Sequence, residues 1–196
     1  MRRAIAVLIA LCLIAPAAAI AQEDELVLTP VTEREDIVAL LAGYAGDWTG
    51  RGESRADFDD PMEASACRLE ATFDTDTATL TNGGACANAV RAIDIGGTLS
   101  VTEEGELTGG YFGQFEQAEL LESNGAAYEE GFIINATYRL TLRGRENDFD
   151  MEVRVGVPIL RDDGRTAFSL VMLVRDPDTD AFVEFTRMVF TRNLDA

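Results

Sequence analysis

The class of fold is clearest in residues 134–157, which read INATYRLTLRGRENDFDMEVRVGV. Apolar and polar side chains alternate on both sides of a turn at 144–147, and this period of two is typical of antiparallel strands with one face on a core. The predicted inward positions are Ile134, Ala136, Tyr138, Leu140 and Leu142 on the first strand and Phe149, Met151, Val153, Val155 and Val157 on the second. The segment therefore predicts a β-hairpin with one apolar face.

The same alternation continues through most of the chain from Trp48 onward. Further alternating runs are 46–55, 66–74, 93–101, 107–115, 166–175 and 181–192. Turn sequences such as Asp162-Asp163-Gly164 separate these runs at hairpin spacing, and no run between them has the character of a crossover helix. The predicted fold is all-β, an antiparallel up-and-down meander barrel of about 8–10 strands, because closure removes the exposed edges of a long meander.

One short N-terminal helix is predicted over 33–44. Residues 37, 38, 40 and 41 are apolar at helical spacing, and they follow a capping-box sequence at 32–35. Such a short helix needs a surface on which to pack.

The first 21 residues have the pattern of a secretory signal peptide. Two arginines precede an apolar run over 4–15, a proline, and the small-x-small sequence Ala19-Ile20-Ala21. We expect cleavage after Ala21 and a periplasmic or secreted protein. Of the 196 residues, 175 then remain, as a flexible lead segment at 22–31 and a single barrel domain at 32–196. No second apolar run reaches the ~18 residues of a spanning helix, so no membrane span is expected.

Charge and composition exclude several function classes. The signal holds two of the 16 basic residues and none of the 35 acidic ones, which leaves a net charge of −21. So acidic a surface repels nucleic-acid phosphates, and we expect no nucleic-acid partner. The chain has no His, and all its basic residues are Arg. Triad catalysis through His, imidazole ligation of zinc, copper or haem, and lysine Schiff bases are excluded, so we expect no cofactor and no bound metal.

Cysteine usage suits an oxidising compartment. Cys12 lies within the predicted signal, which leaves Cys67 and Cys86. A turn near 74–77 separates their runs, so neighbouring strands can bring them together in a disulfide worth about 3 kcal/mol by chain entropy. The alternative, a reactive thiol, needs a nearby base, and no His exists to provide one.

The start of the first strand resembles a known signature. Gly46-Asp47-Trp48 is similar to the Gly-x-Trp motif of the calycin superfamily, which includes lipocalins, and 46–52 as a whole resembles the first strand of nitrobindin-like barrels. The resemblance implies a ligand-binding barrel in which Trp48 closes one end and Arg192 stacks on it. Arg192 is predicted to share an inward face of the last strand with Phe182, Glu184, Thr186, Met188 and Phe190. Nitrobindins hold haem through a His, so that activity does not carry over.

Six large side chains fall on the inferred inward faces. They are Tyr111, Phe115, Tyr138, Met151, Phe168 and Met172. They either line an apolar ligand pocket or fill the barrel as core.

Three functions remain open. The favoured prediction is an exported lipocalin-like barrel that binds a small apolar or amphipathic ligand without catalysis. The alternative is a periplasmic protease inhibitor of the disulfide-bonded barrel type, in which the lead segment enters the protease cleft. An enzyme with a carboxylate pair is the least favoured, because nearly all acidic residues alternate outward.

Overall fold

The computed structural model describes residues 28–89, 92–110, 118–142 and 145–193. The predicted signal peptide, Cys12 and residues 22–27 of the predicted lead segment lie outside these ranges.

The described residues form a closed antiparallel barrel of ten strands with one short helix. The elements are β1 (Pro30–Val31), α1 (Arg34–Ala42), β2 (Gly46–Ser54), β3 (Glu63–Asp74), β4 (Thr79–Ala87), β5 (Ala92–Val101), β6 (Leu107–Gly110), β7 (Glu119–Tyr128), β8 (Gly131–Leu142), β9 (Arg145–Gly156), β10 (Ile159–Leu160), β11 (Arg165–Arg175) and β12 (Phe182–Asn193). The wall consists of β2 to β9 followed by β11 and β12, each antiparallel to its predecessor. The predicted all-β meander is confirmed, at the upper end of the predicted strand number.

The first and last wall strands close the barrel. β12 pairs antiparallel with β2 from Thr186, opposite Ser54, to Thr191, opposite Thr49. This direction is required of a meander with an even number of strands, and it pairs the outer edges of the first and last wall strands with each other. The inward side chains of the wall form one continuous hydrophobic core.

The alternation in β12 shifts at one point. Phe185 and Thr186 are neighbours and both are buried, and the register against β11 changes beside them. This is the geometry of a β-bulge. Thr186, Met188, Phe190 and Arg192 face inward, as predicted. The prediction is wrong for Phe182 and Glu184, which the bulge turns to the outer face. A single inserted residue reverses the facing of every residue beyond it.

The sheet contains segments that the alternation did not reveal, among them β1 and β7. Pro30 and Val31 form β1 and pair with Tyr128 and Ala127 of β7, so the last two residues of the predicted lead segment belong to the sheet. β7 itself has the sequence ELLESNGAAY, in which small and polar residues replace the period of two. Its place in the wall is determined by β8, with which it pairs along most of its length.

Helix α1 covers one end of the barrel. Ile37 and Leu41 are buried, and Arg34 Nε donates a hydrogen bond of 3.1 Å to the carbonyl of Thr102 in the β5–β6 turn. The predicted capping box is wrong, because the N-cap residue is Glu33 and no side chain caps the helix. Packing on the barrel therefore stabilises the helix, as its short length requires. No helix in the described ranges has the length and apolarity that a bilayer crossing requires.

Two adjacent glycines of β4 have different surroundings. A Cβ on Gly84 would overlap the carbonyl oxygen of Arg68 on β3, whereas a Cβ on Gly83 would meet no atom within 4 Å. Strands β3 and β4 thus approach each other closely at Gly84. Glycine at such a position lets the wall bend toward closure.

Candidate functional site

The end of the barrel beneath α1, called the closed end here, is built around Trp48. Its ring is 2% exposed and its Nε1 donates a hydrogen bond of 2.8 Å to the carbonyl of Tyr44. The Arg192 guanidinium carbon lies 4.3 Å from the ring centroid. This is the cation–π contact expected from the Gly-x-Trp resemblance, and it joins the first wall strand to the last.

Arg192 also holds the helix. It donates hydrogen bonds to the carbonyls of Gly43, at 3.2 Å, and Ala45, both in the segment that follows α1. A cation at this position compensates the partial negative charge of a helix C-terminus. Burial lowers the pKa of Arg192, but a guanidinium retains its proton at neutral pH. One side chain therefore links the helix, the first strand and the last strand.

Gly46 is the residue that makes room for this arrangement. Its φ is +127°, and a Cβ here would lie 2.6 Å from Arg192 Nη1. Any other residue would meet both a backbone penalty and a steric one. The structure thus gives a physical reason for glycine two residues before the tryptophan.

The disulfide between Cys67 and Cys86 is confirmed. The two residues are direct register partners on β3 and β4, their Cα atoms lie 4.0 Å apart, and both side chains are buried inside the barrel. The bond fits a protein of an oxidising compartment, extracellular or periplasmic.

Four of the six predicted pocket residues lie in the described ranges, and all four are buried. They are Tyr138, Met151, Phe168 and Met172, each a member of the hydrophobic core; Tyr111 and Phe115 lie outside the described residues. Phe168 packs on Trp48 with ring centroids 4.7 Å apart and on Phe190 at 5.0 Å. It thus forms part of the closed end.

The opposite end, called the open end here, is covered by the loop between β2 and β3. Phe58 in this loop packs its ring on Phe185, with centroids 4.8 Å apart, and on Phe149, at 6.2 Å. The Arg55 guanidinium donates a hydrogen bond of 3.2 Å to the carbonyl of Phe58, which stabilises the loop. No strand pairing holds Phe58, in contrast to the helix and ladder contacts of the closed end.

The inner wall has few polar groups. Among the described residues, the buried polar side chains are those of Ser54, Ser65, Asn82, Thr166 and Thr186, with no Asp or Glu. Ser54 and Ser65 bond each other at 2.7 Å. In this part of the chain, no group of three or more His, Cys, Asp or Glu side chains is placed to hold a metal ion.

Asn82 is the interior residue that sequence reasoning missed. It lies on the inner face of β4 and is 4% exposed, yet neither its amide nitrogen nor its amide oxygen has a hydrogen-bond partner. Its register partners are Ala71 on β3 and Gly97 on β5, both too small to offer a polar group. The available signal was its spacing, since it lies two and four residues from inward Leu80 and Cys86.

The fold and interior define a closed ten-stranded antiparallel barrel with one end covered by a helix and an Arg–Trp pair. No protein-family model matches the chain, and no curated protein matches it.

Proposed function

We propose that the protein is an exported, calycin-like barrel that binds a small apolar or amphipathic molecule in its interior and performs no catalysis. The observation that carries the proposal is the difference between the two ends. The closed end is fixed by α1, Trp48 and Arg192, whereas, among the described residues, the open end is covered by the β2–β3 loop, whose Phe58 ring packs on Phe185 and Phe149. A barrel closed at one end and covered by a loop at the other has the architecture of an interior binding site.

The proposed route of entry passes Phe58. Displacing its ring breaks two aromatic contacts and leaves the wall ladder intact, because Phe58 belongs to no strand. Loops carried on a rigid wall are the usual moving parts of binding sites. The signal-like N-terminus and the Cys67–Cys86 disulfide support the exported location.

The test compares Phe58→Ala with Phe182→Ala. Both remove an aromatic ring at the open end, but Phe182 is 41% exposed on the outer face and packs against Arg175. With N-phenyl-1-naphthylamine as a fluorescent probe, we expect binding to the wild type, an association rate about tenfold or more faster for Phe58→Ala, and no change for Phe182→Ala. An absence of probe binding, together with only the unliganded mass in native mass spectrometry of protein from its own source, would refute the proposal.

The protease-inhibitor alternative has two observations in its favour. The described pocket candidates pack as core, and β1 anchors the chain beside β7 at Pro30 and Val31. An anchored tail can present the residues that precede it to a protease. Inhibition of a periplasmic protease that disappears on removal of residues 22–27 would favour this function over ligand binding.

A further inference from the structure

The side-chain amide of Asn82 is buried in the barrel without a hydrogen-bond partner. It is more than nine-tenths buried, and both of its polar atoms lack a partner. Buried amides are nearly always hydrogen-bonded, and one left unsatisfied destabilises the fold by about 1–3 kcal/mol. An apolar residue would serve a purely structural role better.

The inner wall around Asn82 is built from small residues. Ala71 and Gly97 flank it in register on β3 and β5. Neither carries a polar side chain. The wall on either side therefore offers the buried amide no side-chain hydrogen-bond partner.

From these facts we infer that Asn82 is the polar anchor of an interior subsite for an uncharged ligand group carrying a hydrogen-bond donor beside an acceptor. An asparagine amide presents an N–H donor and a C=O acceptor side by side. Its complement is a primary amide, a lactam or a similar neutral group. This inference rests on the proposed ligand-binding function and specifies the chemistry of its ligand.

The charges of the barrel exclude an ionised head group. Among the described residues, no charged side chain is buried in the interior, and Arg192 is engaged by Trp48 and two carbonyls at the closed end. An anion beside Asn82 would lose its hydration without gaining a cation, which is strongly unfavourable. The chain's net charge of −19 opposes it further.

The test uses three probes that share one ring system and differ in one substituent: 2-naphthamide, 2-naphthoate and 2-methylnaphthalene. Their dissociation constants are measured by equilibrium dialysis against the wild type, Asn82→Leu and the control Ser54→Ala. The control also removes a buried polar group, but one whose hydrogen bond stays within the wall. Asn82→Ala serves as a second variant, because it cannot overfill the site.

For the wild type, we expect 2-naphthamide to bind at least tenfold more tightly than 2-naphthoate. In Asn82→Leu, the preference for 2-naphthamide over 2-methylnaphthalene should fall about tenfold, as expected for lost hydrogen bonds. It should stay unchanged in Ser54→Ala. The unliganded Asn82→Leu protein should melt about 3 °C or more above the wild type, because an unsatisfied amide is gone; a residue needed for folding would show the opposite shift.

The failures are distinguishable. If no naphthalene probe binds the wild type, the Asn82 inference is rejected, and the proposed function is decided separately by N-phenyl-1-naphthylamine binding and native mass spectrometry. If 2-methylnaphthalene binds but the preference for the amide is the same in the wild type, Asn82→Leu and Asn82→Ala, the binding function stands and the inference is overturned, with water as the occupant beside Asn82.

Discussion

Replacement of Gly84 by alanine should destabilise the barrel strongly. The added Cβ would overlap the carbonyl oxygen of Arg68, with the Arg68 carbonyl carbon at 2.9 Å and Leu69 Cα at 3.0 Å. All three are backbone atoms of β3, so no side-chain rotation relieves the overlap, and the β3–β4 ladder must shift. Overpacking typically costs about 1–3 kcal/mol. We expect about 3 kcal/mol, because only backbone movement can relieve the overlap.

The adjacent glycine provides the matched control. A Cβ on Gly83 would meet nothing within 4 Å, and glycine within a strand is less favourable than alanine by about 0.5–1 kcal/mol. Gly83→Ala should therefore leave the free energy of unfolding unchanged or raise it by about 0.5 kcal/mol. The two substitutions make the same chemical change one residue apart.

Urea denaturation followed by tryptophan fluorescence measures both effects. Trp48 is the chain's one tryptophan and lies in the core, so its emission reports loss of the closed end. The melting temperature of Gly84→Ala should fall by about 6–12 °C, at 2–4 °C per kcal/mol for a chain of this size. Equal stability of the two variants would refute the close approach of β3 and β4.

Three further variants test the closed end and the wall. Arg192→Lys keeps the charge but loses the planar fork, so it should cost about 2 kcal/mol and shift Trp48 emission to the red; an unchanged spectrum and midpoint would contradict the stacking. Cys67→Ser with Cys86→Ser removes a cross-link between residues 19 positions apart and should cost about 3 kcal/mol. The urea midpoint under non-reducing conditions measures this, and a loss below about 1 kcal/mol would count against the disulfide's role. Tyr44→Phe removes a hydroxyl that donates 3.0 Å to a β9 carbonyl and should cost about 1 kcal/mol, with thermal unfolding as the measurement and a rise in midpoint as the contrary result.

The alternation of apolar and polar residues predicted the barrel because most of its strands have one face toward the core and one toward solvent. The hairpin formed by β8 and β9 and the facing cysteines follow from that alternation, whereas the Trp48–Arg192 contact is the one that the Gly-x-Trp resemblance implies. The first four residues of β7, Glu119–Glu122, are exposed on both faces, and small and polar residues make up most of the rest, so its sequence shows no clear apolar alternation. Its pairing with β8 is a tertiary effect, and single-sequence patterns do not record such effects.

The interior was harder to predict than the wall. The two-residue alternation of β11 places the side chains of Met172 and Phe168 inside the barrel. It does not distinguish a side chain that lines a cavity from one that fills the interior. The bulge at Phe185 and Thr186 is visible in the sequence only as a change of parity, from apolar Val183 and Phe185 to apolar Met188 and Phe190, and apolar Phe182 and Val189 on the outer face obscure that change. Asn82 alternates with the inward residues of β4, yet its side chain is of the polar kind that usually lies at the surface. Only the structure around it shows that its amide has no hydrogen-bond partner.

The closure between β2 and β12 has a consequence for the order of folding. The hydrogen bond from Arg192 to the Gly43 carbonyl joins residues 149 positions apart. The pairing of β2 with β12 therefore forms only after the long chain between them has become compact. Contacts of such long sequence separation slow folding. Before β12 pairs with β2, one edge of β2 has no strand partner in the β2–β3 hairpin. The β12 strand of a second chain can pair with this edge instead. We therefore expect refolding at high protein concentration to yield strand-exchanged dimers, and refolding at low concentration to yield the monomeric barrel.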